Sequence, residues 1–331
     1  MSTAAVVGAG AWGTALADLI ARNGQHTTLW AREQDVVQDV NDNHTNSRFL
    51  AGAALSPLLT ATEDLVAAVS NASTVTFVAP SHVLRAVIRS AAHAVRADAV
   101  LIVATKGIER ETFALMTDIV AEELPGRPVV ALSGPSFAAE VAQRQPTAVV
   151  AASREAAAAL RTQQLFSSPE FRVYTQRDVV GVELGGSIKN VMAVATGVLD
   201  GLGLGFNPRA ALITRGLAEM TRLGLALGAE ASTFAGLAGM GDLVLTCTGS
   251  LSRNRSVGVE IGRGRPVAEV LHARETVAEG VVTTQSAHAL AQSRGVEMPI
   301  VRTMHRILFE AMPPRDAIAE LMARALRAES D

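Results

Sequence analysis

Residues 8–13 read GAGAWG, so Gly8, Gly10 and Gly13 stand at G-x-G-x-x-G spacing close to the start of the chain. An apolar run at residues 4–7 precedes them, and Leu16, Leu19 and Ile20 follow at helical spacing. This pattern predicts a strand, a tight turn and a helix. In that setting the glycines let the backbone approach a pyrophosphate at the helix N-terminus, where unpaired N–H groups and the helix dipole favour negative charge. A second strand ends about twenty residues further on, as a dinucleotide-binding unit requires. At its end the sequence reads Trp30, Ala31, Arg32, Glu33. Arg32 suits the 2′-phosphate of NADPH, which makes NADP the expected cofactor, while Glu33 keeps NAD open.

The first half alternates β-branched apolar runs with segments of helical period. "HTTLW", "STVTFVA", "AVLIVAT", "PVVALS" and "TAVVAAS" read as strands of a parallel sheet with crossover helices. A doubly wound, Rossmann-like α/β domain is expected over residues 1–178. After "FRVYTQ" the strand signal stops, and "VVGVELGGSIKNVMAVATGVLD" opens an all-α domain over residues 179–331. With 331 residues, 49% apolar and 18% charged, the chain has enough apolar surface for two cores and reads as folded throughout.

Several function classes are disfavoured at once. A net charge of −3 without a run of Lys or Arg argues against a nucleic-acid partner. No apolar run is long enough to span a bilayer without a charge, so membrane insertion is not expected. The first strand leaves no room for a secretory signal, and a cytoplasmic location is expected. The one cysteine, Cys247, excludes an intrachain disulfide and reads as a small buried hydrophobe. The 7 histidines lack ligand spacing, so no metal site is expected.

Residue usage points to the chemistry. Of 29 basic residues only two are lysines, Lys106 and Lys189. A lysine presents a compact amine that burial can deprotonate, whereas a guanidinium is broad and stays charged. The two are therefore candidates for work that arginine cannot do, the alternative being two surface lysines left by chance. Lys106, in "IVATKGIE", follows a strand and so lies at the carboxyl edge where ligands bind in open α/β folds. Lys189, in "ELGGSIKN", lies on the long helix that opens the second domain. Hydride transfer to a carbonyl leaves charge on oxygen, which needs a proton donor or a fixed positive group. A buried lysine can supply both, and two neighbouring ammonium groups would tune each other.

In "AGMGDLVLTCTGSLSRNRS", Asp242 and Thr246 are four apart, on one face if the stretch is helical. Ser252, Arg253, Asn254 and Arg255 follow, a set able to cradle phosphate or carboxylate, or simply a solvated helix end.

The segments "GAGAWGTALA", "APSH", "ATKGIE", "SGPSFAAE", "ELGGSIKNVMA", "NPRAALITRGLAEM", "GMGDLVLTCTGSLSRNR" and "VAEG", in this order, resemble the NAD(P)-dependent glycerol-3-phosphate dehydrogenases of bacteria over nearly the whole chain. The resemblance implies interconversion of glycerone phosphate and sn-glycerol 3-phosphate with NADPH or NADH, supplying the backbone of phospholipids. It implies a dinucleotide-binding domain, a helical domain, an active site between them and a homodimer. It makes Lys189 the proton donor or acceptor, with Lys106 touching substrate and cofactor. Gly134, Ser136, Asp242, Thr246, Ser252, Arg253 and Asn254 would complete the substrate pocket. Ala11, Trp12, Arg32, Ala138, Arg253, Val277 and Glu279 would join Gly8, Gly10 and Gly13 in holding the cofactor.

Two other readings remain at this level. Reductases acting on ketopantoate or β-hydroxyacids also join a dinucleotide domain to a helical one, and a redox-sensing module would bind NADPH without turnover. His82 and Glu183 stay unassigned between site and structure: His82 as a cap or pocket wall, Glu183 as an orienting group or half of a salt bridge.

Overall fold

The computed structural model describes residues 3–273, 278–323, 325, 326 and 328. By contact density the chain groups into two units. The first is Met1–Gly186 with Ala229–Asp242, and the second is Ser187–Gly228 with Leu243–Asp331. This grouping does not break at 178/179. It divides the long helix Val179–Gly201 at Gly186 and returns a later segment to the first unit.

The first unit is built on one eight-stranded sheet: β1 (Thr3–Val7), β2 (His26–Trp30), β3 (Leu59–Thr62), β4 (Thr74–Phe77), β5 (Val100–Val103), β6 (Val129–Ser133), β7 (Thr147–Ala152) and β8 (Phe171–Gln176). Their order is β3-β2-β1-β4-β5-β6-β7-β8. From β3 to β6 every pair is parallel, and the register sets Val7 beside Trp30 and Phe77, and Phe77 beside Val103. The carboxyl ends of β1, β2, β4 and β5 therefore form one edge. Chain order reverses between β1 and β4, which places a ligand crevice at that edge.

Alternation along the strands sends side chains to two cores. Val6, Ile102 and Leu132 pack with Leu16, Leu19 and Ile20 of the helix Ala11–Arg22. Val7, Phe77, Leu101 and Val103 pack on the other face with Leu84, Ile88 and Met116. Both faces are covered, which is why these strands read as continuous apolar runs.

Two features depart from the expected pattern. The strand β3, "LTAT", carries no apolar run; it is an edge strand whose outer Ala61 exchanges both backbone hydrogen bonds with the Asn41 side chain, at 2.8 and 3.0 Å. The pair β6–β7 is antiparallel, and β8 runs parallel to β7. The connection over residues 134–146 holds the five-residue helix Ala138–Ala142 and does not cross back to the other edge of the sheet. It stays at the carboxyl edge, and "SGPSF" stays there with it.

The returning segment is tied down by Asp178. Its carboxylate accepts from Gly181 N at 2.9 Å, Glu230 N at 2.8 Å and Thr233 Oγ1 at 2.7 Å.

The second unit contains helices and no strand among its described residues. The long helix meets Arg253–Gly262 at backbone distance: a Cβ at Gly258 would stand 2.0 Å from the Val194 carbonyl oxygen, and one at Gly197 2.0 Å from that of Arg255. Asp200 pairs with Arg209 and, at 2.7 Å, with Arg255. Glu219 accepts from Ile300 N at 2.7 Å, capping Pro299–Phe309. Among the described residues no single helix is long and apolar enough to cross a membrane.

Candidate active site

The turn after β1 is as tight as its glycines suggest. A Cβ at Gly13 would stand 1.8 Å from the Gly8 carbonyl oxygen, and one at Gly8, whose φ is +119°, would stand 3.0 Å from the Ala79 nitrogen. Gly8 thus lies against the end of β4, at the point where strand order reverses. A Cβ at Gly10 would meet nothing within 4 Å. Gly10 also precedes the helix Ala11–Arg22 without any side-chain cap, so its first N–H groups have no capping side chain. Trp12 Nε1 is buried without a hydrogen-bond partner among the described residues. Ala138 packs beside Ala11 and Trp12 on the same core. An open cradle above an uncapped twelve-residue helix fits the pyrophosphate of a dinucleotide.

At the end of β2, Arg32 is largely exposed and pairs with Glu33 at 3.0 Å. Asn46, fully buried, braces the glycine turn from beneath, donating to the Ala9 carbonyl at 3.0 Å and to Thr14 Oγ1 at 2.8 Å. Its position in the polar stretch "VNDNHTNSR" offers no sequence signal for that role.

Further along the carboxyl edge four motifs converge within the first unit. Lys106, after β5, donates to Asp242 Oδ2 at 2.9 Å; its side chain is 18% exposed and that of Asp242 only 1%. Thr105 ties this corner to the end of β4 by donating to the Ala79 carbonyl at 2.8 Å. The long helix approaches through "GG": a Cβ at Gly185 would stand 2.4 Å from the Ala238 carbonyl oxygen. One at Gly186 would stand 2.5 Å from Ser133 Oγ and 3.7 Å from Lys106 Cγ. A Cβ at Gly241 would be in ordinary contact with the Pro135 ring at 3.6 Å, and Ser136 donates to the Gly134 carbonyl at 3.0 Å. Thus "ATKG", "SGPS", "ELGG" and "GMGD" meet at one place. The sequence singled out Lys106 and Asp242 separately and missed that they pair. It also missed Ser133, whose buried hydroxyl has no partner among the described residues.

Three residues beyond Gly186 on the same helix, hence on the same side of it, is Lys189, 6% exposed. Its neighbour Asn190 accepts from Asn254 Nδ2 at 2.9 Å, while Asn254 Oδ1 accepts from Gly280 N at 2.9 Å. Asn190 had no signal beyond adjacency to the lysine. Asp242 and the buried Thr246 do lie on one helix, Asp242–Thr248, one turn apart. Ser252 caps Arg253–Gly262 by accepting from Arg255 N at 3.2 Å, and Arg253, the first residue of that helix, is exposed. Glu279 opens the helix Glu279–Ser293, and Val277 lies outside the described residues.

Glu183 accepts from Thr117 N at 3.0 Å and from Thr117 Oγ1, so it caps Met116–Glu123, the helix that follows the Lys106 loop. Burial pushes its carboxyl up to about 7. His82 is exposed, and Cys247 is buried as a small apolar side chain would be.

Comparison with known proteins settles the family. A glycerol-3-phosphate dehydrogenase [NAD(P)+] of Geobacter sp. (strain M21) is 55% identical over 328 residues, 98% of each chain. The chain belongs to the NAD-dependent glycerol-3-phosphate dehydrogenase family. Residues 3–159 match that family's N-terminus and residues 178–319 its C-terminus. The counterpart in Geobacter sulfurreducens is 54% identical over 98% of both chains. The crystal structure of glycerol-3-phosphate dehydrogenase from Coxiella burnetii superposes with a TM-score of 0.94 at 42% identity, covering 98% of this chain and 99% of that one. The chain is accordingly an NAD(P)-dependent oxidoreductase.

Proposed function

We propose that the chain interconverts glycerone phosphate and sn-glycerol 3-phosphate, with a lysine moving the proton. The observation that carries this reading is the convergence of four motifs on the Lys106–Asp242 pair beside the coenzyme edge. The glycine turn would hold a nicotinamide coenzyme together with Ala11, Trp12, Arg32 and Ala138, with Val277 and Glu279 as its further expected ligands, and that coenzyme would supply or take the hydride. Lys189 donates the proton to the substrate's C2 oxygen as negative charge develops there, and accepts it in reverse. Lys106, oriented by Asp242, binds that oxygen region, and Thr246 supports Asp242 from one turn away. Arg253, exposed at a helix start, takes the substrate phosphate with Ser252 and Asn254, and Gly134 and Ser136 also serve the substrate. The product feeds glycerophospholipid synthesis, and the reaction takes place in the cytoplasm.

The test is NADPH oxidation, followed by absorbance, with glycerone phosphate as substrate. Lys189→Arg keeps a charge but removes the compact amine, and is expected to lower kcat by ~10²–10⁴-fold while NADPH still binds. Equal or faster turnover of a non-phosphorylated hydroxyacid overturns the substrate. NADPH binding without turnover by the unmodified chain overturns the catalytic reading.

A further inference from the structure

We infer that Arg48 is a second ligand for the 2′-phosphate of NADPH, acting with Arg32. The inference rests on the reading above that the chain takes NADPH as well as NADH.

Arg48 is carried on a loop with two independent anchors. On one side Asp39 gathers the turn, accepting from Ser47 N at 2.7 Å, Thr45 Oγ1 at 2.7 Å and Asn43 Nδ2 at 3.1 Å. These hydrogen bonds, the Ser47 backbone first, hold its carboxyl down at about 2, so the turn stays braced at neutral pH. On the other side Asn46 reaches beneath the glycine turn to the Ala9 carbonyl, and its own Oδ1 accepts from Phe49 N at 3.1 Å. The backbone that carries Arg48 is thus locked to the element that cradles the pyrophosphate.

The Arg48 side chain is 43% exposed, lies over the Phe49 ring at 5.2 Å, and donates from Nη1 to both Asp35 oxygens at 3.2 Å. Asp35 is three residues after Arg32, and Arg32 is itself paired with Glu33. Arg32 is thus held on Glu33, just after β2, and Arg48 on Asp35, in the helix Gln34–Gln38 that follows, close in sequence to the strand end where a dinucleotide fold presents its ribose. An exposed pair of this kind contributes little stability by itself. A phosphate dianion offers two guanidinium groups stronger, charge-assisted hydrogen bonds than a solvated carboxylate does.

The acids account for tolerance of both coenzymes. Without the 2′-phosphate, Glu33 and Asp35 keep the two arginines paired, so NADH binds without stranding a charge. With it, each arginine exchanges a carboxylate for a phosphate oxygen.

The test is equilibrium titration of the full chain with NADPH and with NADH, read by nicotinamide fluorescence. Arg48→Gln and Arg32→Gln are compared with wild type at low and high salt. Arg48→Gln is expected to raise the NADPH dissociation constant about tenfold, with far less effect on NADH, and the difference should shrink as salt rises. Equal weakening of both coenzymes overturns the inference, because Arg48 would then serve the adenosine or the loop itself. An unchanged NADPH constant for Arg48→Gln, alongside a weakened one for Arg32→Gln, also overturns it while leaving the proposed reaction intact. Wild-type protein that binds neither coenzyme overturns both readings.

Discussion

Glu183 illustrates how much a single buried group can report. It faces Thr117 from the helix Met116–Glu123, with Asp118 adding repulsion, and burial is the largest cause of its raised carboxyl at about 7. A carboxyl whose folded value lies above its ordinary 4.5 makes the folded state bind more protons than the unfolded chain between those two points. Its contribution is therefore full below pH 4.5 and is lost as pH rises through about 7, on the order of 3 kcal/mol over the whole window. Urea unfolding at pH 5 and pH 8 should show wild type losing more stability than Glu183→Gln between the two values. Parallel losses in both would assign the pH dependence to other groups. Nothing in "GVELGGS" marked this residue as a helix cap, because its partner stands 66 positions away. The lysines were legible for the opposite reason: their scarcity is a property of composition and needs no partner.

At the scale of elements, the glycine turn separates packing from binding. Gly13→Ala places a Cβ 1.8 Å from the Gly8 carbonyl oxygen, so the turn must open and the first helix must shift from the sheet. Gly10→Ala meets nothing within 4 Å and has an extended backbone that alanine adopts freely. Thermal melts should show Gly13→Ala destabilised by about 1–3 kcal/mol and Gly10→Ala close to wild type. Coenzyme titration should show that Gly10→Ala binds NADPH more weakly, since the added methyl occupies the cradle rather than the core. A Gly10→Ala chain with wild-type affinity would place the pyrophosphate elsewhere. The motif was readable because strand, turn and helix are adjacent in sequence. The direction of β7 was not, because its local pattern is the same for either pairing.

At the scale of the molecule, the chain leaves its first unit and comes back. Asp178 holds the returning segment Ala229–Asp242 through Glu230 N and Thr233 Oγ1, and that segment ends on the Lys106 partner. Asp178→Ala should therefore expose the Glu230 amide to hydrogen exchange and lower kcat/KM. The Ile300 amide, held by Glu219 in the second unit, should keep its protection. Loss of protection at both amides would mean global destabilisation rather than release of the segment.

The sequence by itself determined the strand–turn–helix of the cofactor loop, the succession of strands followed by helices, the two lysines and the family. Each of these is written in residue order, in composition or in spacing within one element. Tertiary structure alone decided that Lys106 pairs with Asp242 across 136 positions, that Asn46 braces the glycine turn, and that Arg48 pairs with Asp35. Those contacts form between segments distant in the chain, where local propensity carries no information and only the packing of the sheet brings the partners together.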